Sequence, residues 1–350
     1  MHTVLRAMTG ASGHRQVVDR WRSALYDFEP QEARRVLSEI SHSGAEFRLS
    51  FPFETMSGPD AFWKHAIEPL VRAWPDIERR DQIVVAGFDG ESDWVGCAGH
   101  YIGTFAHPWL DIPPTGHVAH LRFHEFYCIK EGKVAQMQAV WDIPEVMLQA
   151  WAWPMSPSLG REWCVPAPAT QDGLDPKGDG IKAQARVIDM LEHMSRHPAE
   201  GGPDVMEMQR FWHPKMMWYG PAGIGTARGV AGFRNWHQIP FLAAMPDRGQ
   251  HSQDVRHHFF SQGNYVAVTG WPNMSQTLTD GGFLGIAPAG KKVHLRSLDF
   301  WRLEAGLIRE NWVMVDLLSL YDQLGVDVFA RLREFNKARL GFDPETGRAA

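Results

Sequence analysis

The sequence predicts an α+β protein in which one design is written twice, each copy placing three helices ahead of a curled antiparallel sheet. Three observations predict it. Pro114-Thr-Gly-His-Val-Ala-His120-Leu121-Arg122 aligns with Pro288-Ala-Gly-Lys-Lys-Val-His294-Leu295-Arg296 at a constant offset of 174, and the match runs without a gap to Asp142 and Asp316 with eight identical pairs. Upstream, Ser57-Gly-Pro-Asp-Ala-Phe-Trp and Trp74-Pro75-Asp76 match Arg228-Gly-Val-Ala-Gly-Phe-Arg and Met245-Pro246-Asp247 at an offset of 171. Both copies place helix-period apolar residues first and long β-type runs second, with a Pro/Gly-rich stretch between the copies.

The elements follow in order. Helices are expected over 14–28 and 32–40, then an extended piece over 46–53 and a third helix opened by Pro59 and stopped by Pro75. Strands are expected over 82–88, 93–105, 118–130 and 134–142, punctuated by turn residues at Asp89-Gly90, Pro113-Pro-Thr-Gly116 and Glu131-Gly132. In the second copy, helices are expected over 181–197, 205–213 and 229–244 and strands over 254–260, 265–271, 292–304 and 307–316, with a closing helix over 317–340. The expected domains are 1–153 and 181–342, joined by a surface linker over 154–180.

Composition narrows the function classes. The 350 residues carry 35 Lys+Arg against 41 Asp+Glu, a net charge of −6, which argues against nucleic-acid or membrane-surface binding. Cys97, Cys128 and Cys164 are odd in number and lack a CxxC spacing, so neither a disulfide framework nor a zinc knuckle is indicated. No secretory leader or bilayer-length apolar stretch is read, and a cytoplasmic protein is expected. The surplus lies in 15 Trp and 17 His beside 6 Tyr, and large rigid aromatics suit an apolar pocket for a flat ligand as well as a packed core.

Gly103-Thr-Phe, Trp109-Leu-Asp-Ile-Pro-Pro-Thr-Gly116 and Glu125-Phe-Tyr-Cys-Ile-Lys-Glu-Gly-Lys133 are similar to the signature of SnoaL-like polyketide cyclases, within the nuclear transport factor 2-like superfamily. Phe283-Leu-Gly-Ile-Ala-Pro-Ala-Gly-Lys291 and Gly306-Leu-Ile-Arg-Glu-Asn-Trp312-Val-Met-Val-Asp316 carry the same resemblance in the second copy. It implies two tandem cone-shaped α+β barrels, each a strongly curved sheet wrapped by three helices and open at one end to a mainly apolar pocket. It further implies a general acid/base at the Asp ending the closing strand, Asp316 here and Asp142 in the first copy. The chain departs from the family where a His is frequent, at Phe105 and Thr279, and at Met137 and Gln138 before Asp142.

Alternate residues share a strand face, so His120, Arg122, His124, Phe126 and Cys128 stand together, as do His294, Arg296, Leu298, Phe300 and Arg302. The family pattern directs this even-numbered set at the pocket, with Gln138, Val140 and Asp142, or Trp312, Met314 and Asp316, beside it. The expected catalytic groups are therefore Asp316, Asp142, Arg296, Arg122, His294 and His120. The expected substrate wall is Trp312, His124, Phe126, Phe300, Met314, Gln138, Phe105 and Trp109. Two other roles compete for the aspartates: structural Arg–Asp ion pairs, or caps for helices beginning at Ile143 and Leu317.

His117, His120 and His124 cannot chelate one ion from a single strand, because residues four apart are separated by roughly 13 Å. No metal and no cofactor is expected, although a site assembled across strands stays open. The function expected is cofactor-independent acid/base chemistry on an aromatic or ketide-like small molecule, by aldol-type ring closure or its reverse. A water-activating hydrolase in the same pocket and a non-catalytic ligand-binding or assembly module are the alternatives. The two copies are expected to satisfy the family's dimer interface within one chain, as an intrachain pseudo-dimer, with homo-oligomers left open.

Overall fold

In the computed structural model, residues 2–279 and 281–337 are described, and the end of the expected closing helix lies outside them. The first domain opens with helices His2–Tyr26 and Pro30–Ile40. The second of these buries Ala33, Val36, Leu37 and Ile40, a stripe at helical spacing, and Pro30 starts it at low cost. The expected extended piece is a hairpin, β1 (Ser41–Leu49) with β2 (Glu54–Ser57). A helical run follows through Pro59–Phe62, a π turn at Trp63–Ile67 and Glu68–Ala73.

Strands β3 (Glu78–Phe88), β4 (Asp93–Thr104), β5 (Val118–Lys130) and β6 (Lys133–Trp141) then form a meander, closed by helix Ile143–Gln149. The sheet order is β2-β1-β6-β5-β4-β3, with β1 parallel to β6 and the other neighbours antiparallel. Register shifts between Asp81 and Ile83 and between Cys128 and Ile129 insert extra residues that curl these long strands.

The second domain repeats this plan. Helices Gly180–Met194 and Met208–Phe211 precede β7 (Trp212–Tyr219) and β8 (Thr226–Arg228), and a helical run with its own π turn spans Gly229–Phe233, Arg234–Gln238 and Ile239–Ala244. The expected helix over 205–213 is thus one turn of α-helix leading into a strand, because alternating burial along Trp212–Tyr219 lets that stretch pair in parallel with the closing strand.

Strands β9 (His258–Gln262), β10 (Tyr265–Thr269), β11 (Met274–Leu278), β12 (Lys291–Leu295), β13 (Ser297–Glu304) and β14 (Leu307–Val315) complete the sheet, in the order β8-β7-β14-β13-β10-β9 with β11-β12 as a separate hairpin. The single strand expected over 292–304 is broken beside Pro272, which has no N–H to offer a ladder. Asn273 bridges the break, its Oδ1 accepting from the Ser297 N–H at 2.7 Å. The closing helix is two helices, Leu317–Gln323 and Val328–Lys337, parted at Gly325 with φ +81°.

The two sheets pack against each other through the faces turned away from their helices. Phe126 and Phe300 stack at the centre of this seam with ring centroids 5.0 Å apart, and Trp94, Tyr219, Phe260 and Trp312 surround them. Gly96 makes that approach possible, since a Cβ there would meet the Phe126 and Phe300 rings at 3.0–3.1 Å. Gly96→Val is expected to lower stability by about 1–3 kcal/mol through overpacking, read from the urea midpoint. The chain between the domains runs across the seam, Val84 N–H donating to Gly173 O at 2.8 Å and Asn264 N–H to Lys177 O at 2.7 Å.

Candidate functional site

Each sheet is covered by its own helices on one side and by the other sheet on the other, so both faces are buried and polarity does not mark the pocket side. Leu121, Phe123 and Tyr127 of β5 pack beneath the helices, as Leu295 and Trp301 do in the second domain. Phe126 and Cys128, and likewise Leu298 and Phe300, belong to the seam. The expectation that the even-numbered residues look into the helix-covered pocket is therefore corrected: they look at the other domain. The polarity of Arg122 and His124, which favoured the pocket, serves contacts between the domains instead, while His120 bonds Glu145 and Gln149 of its own domain.

These contacts are specific. His124 Nδ1 lies 2.6 Å from Leu298 O, and burial together with the Arg122 charge keeps its pKa well below the usual histidine value. Gln138 Oε1 accepts from Thr269 Oγ1 at 2.8 Å, and Trp312 Nε1 donates to Pro166 O at 3.1 Å. Arg122 donates to Gly220 O at 3.0 Å, to Tyr219 O and Val313 O, and to Met314 Sδ at 3.1 Å. Phe105 and Trp109, by contrast, lie under the helices of the first domain, packed on Trp74 at 4.3 and 5.5 Å.

The two aspartates occupy equivalent seam positions. Asp142 accepts from Ala222 N–H at 2.9 Å and Asp316 from Phe51 N–H at 3.0 Å, each reaching the opposite domain. Burial raises the pKa of both. Asp316 also caps its helix through Ser319 N–H at 3.1 Å and pairs with Arg296 at 3.1 Å. Among the described residues Arg122 makes no ion pair with Asp142, so the Arg–Asp pair exists in the second copy alone. Asp316→Ala is expected to lower the unfolding free energy by about 1–3 kcal/mol, since it orphans buried donors; a urea titration reads it.

His120, Arg122 and Asp142 do share a space, a seam cavity of ≈ 220 Å³ that Glu145, Glu162 and Cys164 also line. His294 and Arg296 border an open depression with Glu54 and Trp271, Arg296 pairing with Glu54 at 2.6 Å and lying over the Trp271 ring.

Beneath the helices the two domains differ. In the first, Glu125 is fully enclosed and accepts from Arg79 at 2.5 Å, Tyr101 at 2.9 Å, Tyr127 at 2.5 Å and Trp141 Nε1 at 2.9 Å. Arg79 also pairs with Asp81 at 2.9 Å and lies over the Phe123 ring. Every charge in this network has partners, so Glu125 is held by structural bonds.

In the second domain the acid is Asp299, at the register position of Glu125, and its donors have been replaced. Trp301 stands for Tyr127 and Val315 for Trp141, while Met274, opposite Leu295, stands where Tyr101 is opposite Leu121. Among the described residues the remaining side-chain hydrogen-bond partner is Ser297, whose Oγ donates at 2.8 Å. Asp299 lines a cavity of ≈ 90 Å³ together with Trp301, His237, Gln238, Arg248 and Asn311. Burial pushes its pKa up to about 7, against the opposing pull of Ser297 and of Arg248 and Arg122.

Several polar groups around this cavity lack partners among the described residues. Trp301 Nε1, Trp212 Nε1, His237 Nδ1 and Gln238 Oε1 are buried without a hydrogen bond. His237 stacks on Trp218 at 4.1 Å, and burial with the Arg248 charge lowers its pKa to about 3, so it is neutral. Burial also lowers the pKa of Arg248, with Asp299 the opposing charge. Buried polar atoms left unpaired cost stability unless water or a ligand satisfies them, and this cavity gathers four of them. His237 and Gln238 replace Ala66 and Ile67 of the first copy, so this polarity belongs to the second copy.

Asp299, Arg248 and His237 fall outside the set expected from sequence. The available signal was an acid at the same register in both copies, Glu125 and Asp299, on the strand face it shares with Leu121, Phe123 and Tyr127 or with Leu295 and Trp301.

Comparison with solved structures finds AclR of Streptomyces galilaeus at 19% identity and TM-score 0.33, covering 42% of this chain and 98% of that one. IdmH of Streptomyces antibioticus aligns at 19% identity and TM-score 0.32, covering 41% and 99%. An NTF2-like protein of Burkholderia thailandensis aligns at 18% and 0.31, covering 39% and 96%. No curated protein matches the chain. The family described as SnoaL-like polyketide cyclase matches residues 17–150 and 201–324, one stretch in each domain and well over half of the chain together. The chain therefore belongs to the SnoaL-like polyketide cyclase family, present as two copies in tandem.

Proposed function

We propose that the second domain is the working copy and that its cavity carries out acid/base chemistry on a small, largely apolar carbonyl compound, with Asp299 as the proton carrier. The observation that carries this reading is an enclosed carboxyl, facing a cavity, stripped of the donors that fix Glu125 in the first copy. A carboxyl whose pKa is about 7 is half ionised at neutral pH, where it both accepts and returns a proton efficiently. Asp299 takes a proton from the carbon beside a carbonyl. The enolate formed attacks a second carbonyl of the same molecule, closing a ring, and the proton is returned to the new alkoxide. Trp301 Nε1–H and the Arg248 guanidinium supply donors and charge for the developing oxyanion.

The cavity is ≈ 90 Å³, whereas about 150 Å³ accommodates a benzene ring. Met190, Met194 and Met274 line it, and unbranched thioether chains repack readily to admit an aromatic ligand. The first domain, its acid tied up in the Glu125 network, serves as the partner against which the second is held, and Asp142 and Asp316 hold the seam.

The test uses aromatic β-diketones in deuterated water, with exchange at the activated carbon followed by NMR. Exchange catalysed by the protein should have a kcat/KM that rises with pH through about 7 as Asp299 ionises, and Asp299→Asn should abolish that limb. Saturable quenching of tryptophan fluorescence without any exchange would make the cavity a binding site only. The same ionisation acts on stability in the opposite sense. Folding raises the Asp299 pKa, so the folded state holds the proton more tightly and stability falls as the pH rises from about 4 to about 7. Asp299→Asn should flatten that dependence in urea titrations.

A further inference from the structure

The cross-strand geometry of the first domain assembles what one strand cannot. His100 on β4 and His120 on β5 are diagonal neighbours on the seam face, His100 opposite Arg122 and His120 opposite Ile102. Their rings meet edge to face at 5.4 Å. Cys164, from the chain that joins the domains, completes the group: one ligand atom from each of the three lies within 4.8 Å of the others.

Three further observations set this group apart from a chance cluster. His100 is 2% exposed, and its Nε2 has no hydrogen-bond partner among the described residues. The strand position of His120 is fixed from both sides, its N–H donating to Gln149 Oε1 at 2.9 Å and its carbonyl accepting from Gln149 Nε2 at 2.6 Å. The Glu145 carboxylate supports the imidazole at 3.2 Å from Nε2 and is itself anchored by the Arg122 N–H at 2.7 Å, the carboxylate–histidine arrangement that orients metal-bound imidazoles.

The duplication supplies an internal control. Gln323 clamps His294 in the same way, at 2.8 Å on both sides, yet the neighbours there are Ser319 in place of Glu145 and Asn273 in place of His100. The backbone clamp is common to both copies, and the chelating side chains are peculiar to the first.

We propose that His100, His120 and Cys164 bind a zinc-type divalent cation, with the remaining coordination position open to the ≈ 220 Å³ seam cavity that His120 and Cys164 line. Two imidazoles and a thiolate suit zinc, and three protein ligands leave a position for water or a ligand oxygen. Bond lengths of about 2.0–2.3 Å place tetrahedral ligand atoms roughly 3.5 Å apart, a contraction that Cys164, exposed on an irregular segment, makes by side-chain rotation. The bound ion ties the inter-domain chain to the first sheet. This inference is independent of the chemistry assigned to Asp299, which lies in the other domain.

The experiment titrates the full chain, freed of metal with a chelator, with Zn²⁺ and separately with Co²⁺. The expected result is one equivalent bound, a thiolate-to-cobalt charge-transfer band, and a rise in Tm with Zn²⁺. Cys164→Ser, at an exposed position, should fold as the parent does, lose the band and weaken binding by at least about 100-fold, because even supporting residues around a metal are worth 10–100-fold. His100→Asn, which copies the second domain, should weaken binding comparably. Binding of equal strength in the parent and in Cys164→Ser, or no charge-transfer band in the parent, overturns the proposal.

Discussion

Asp299→Asn is expected to lower kcat for proton transfer by about 10²–10⁴-fold, the usual worth of a positioned acid/base group, with the fold intact. Asparagine keeps the shape and the Ser297 contact while removing the ionisable carboxyl. The loss should appear in kcat and kcat/KM together, because proton transfer occurs only in the transition state. Asp142→Asn and Asp316→Asn, measured beside it, should retain most of the exchange activity at a temperature where they are folded. Their carboxylates are committed to backbone N–H groups of the opposite domain. Wild-type rates in Asp299→Asn and collapse in Asp316→Asn would return the chemistry to the closing-strand aspartate.

Glu125→Ala is expected to destabilise the protein by about 3–5 kcal/mol, the cost of breaking a buried ion pair by removing one partner. The substitution strips Arg79 of one carboxylate and leaves the hydroxyls of Tyr101 and Tyr127 and the Trp141 Nε1 without an acceptor. The equivalent change in the second domain, Asp299→Ala, should cost less than about 1 kcal/mol or be stabilising, because that acid is burdened by desolvation that few partners offset. Urea denaturation of the two variants side by side measures the contrast. A pair of equal losses would mean that both acids are structural.

Much of the fold was legible because it is local. The Glu131-Gly132 turn, the apolar stripe of Ala33, Val36, Leu37 and Ile40, and the strands Val118–Lys130 and Leu307–Val315 are set by turn chemistry and periodicity. The repeat exposed the duplication. The strands least legible, Trp212–Tyr219 and Met274–Leu278, are short and owe their conformation to pairing partners distant in sequence.

The site was harder to read because the duplication hides the pocket face. In a single domain with one solvated face, polar His120, Arg122 and His124 would mark the open side. Here a second sheet covers that face, and Arg122 spends its donors on carbonyls of the other domain. Alternation shows which residues stand together and does not show which side each set faces. The histidine cluster was hidden for a related reason, since His100 and Cys164 approach His120 only after β4 pairs with β5 and the inter-domain chain folds across the seam.

On the proposal made above, one carboxyl in the second domain, that of Asp299, is freed from structural duty and poised for proton transfer. Carboxyl-carbon NMR of protein labelled at aspartate, followed across pH and compared with Asp299→Asn, tests it without knowledge of the substrate. A resonance with a midpoint near pH 7 that disappears in the variant is expected. A resonance assigned by that variant and titrating in the ordinary carboxylate range, near pH 4, would contradict it.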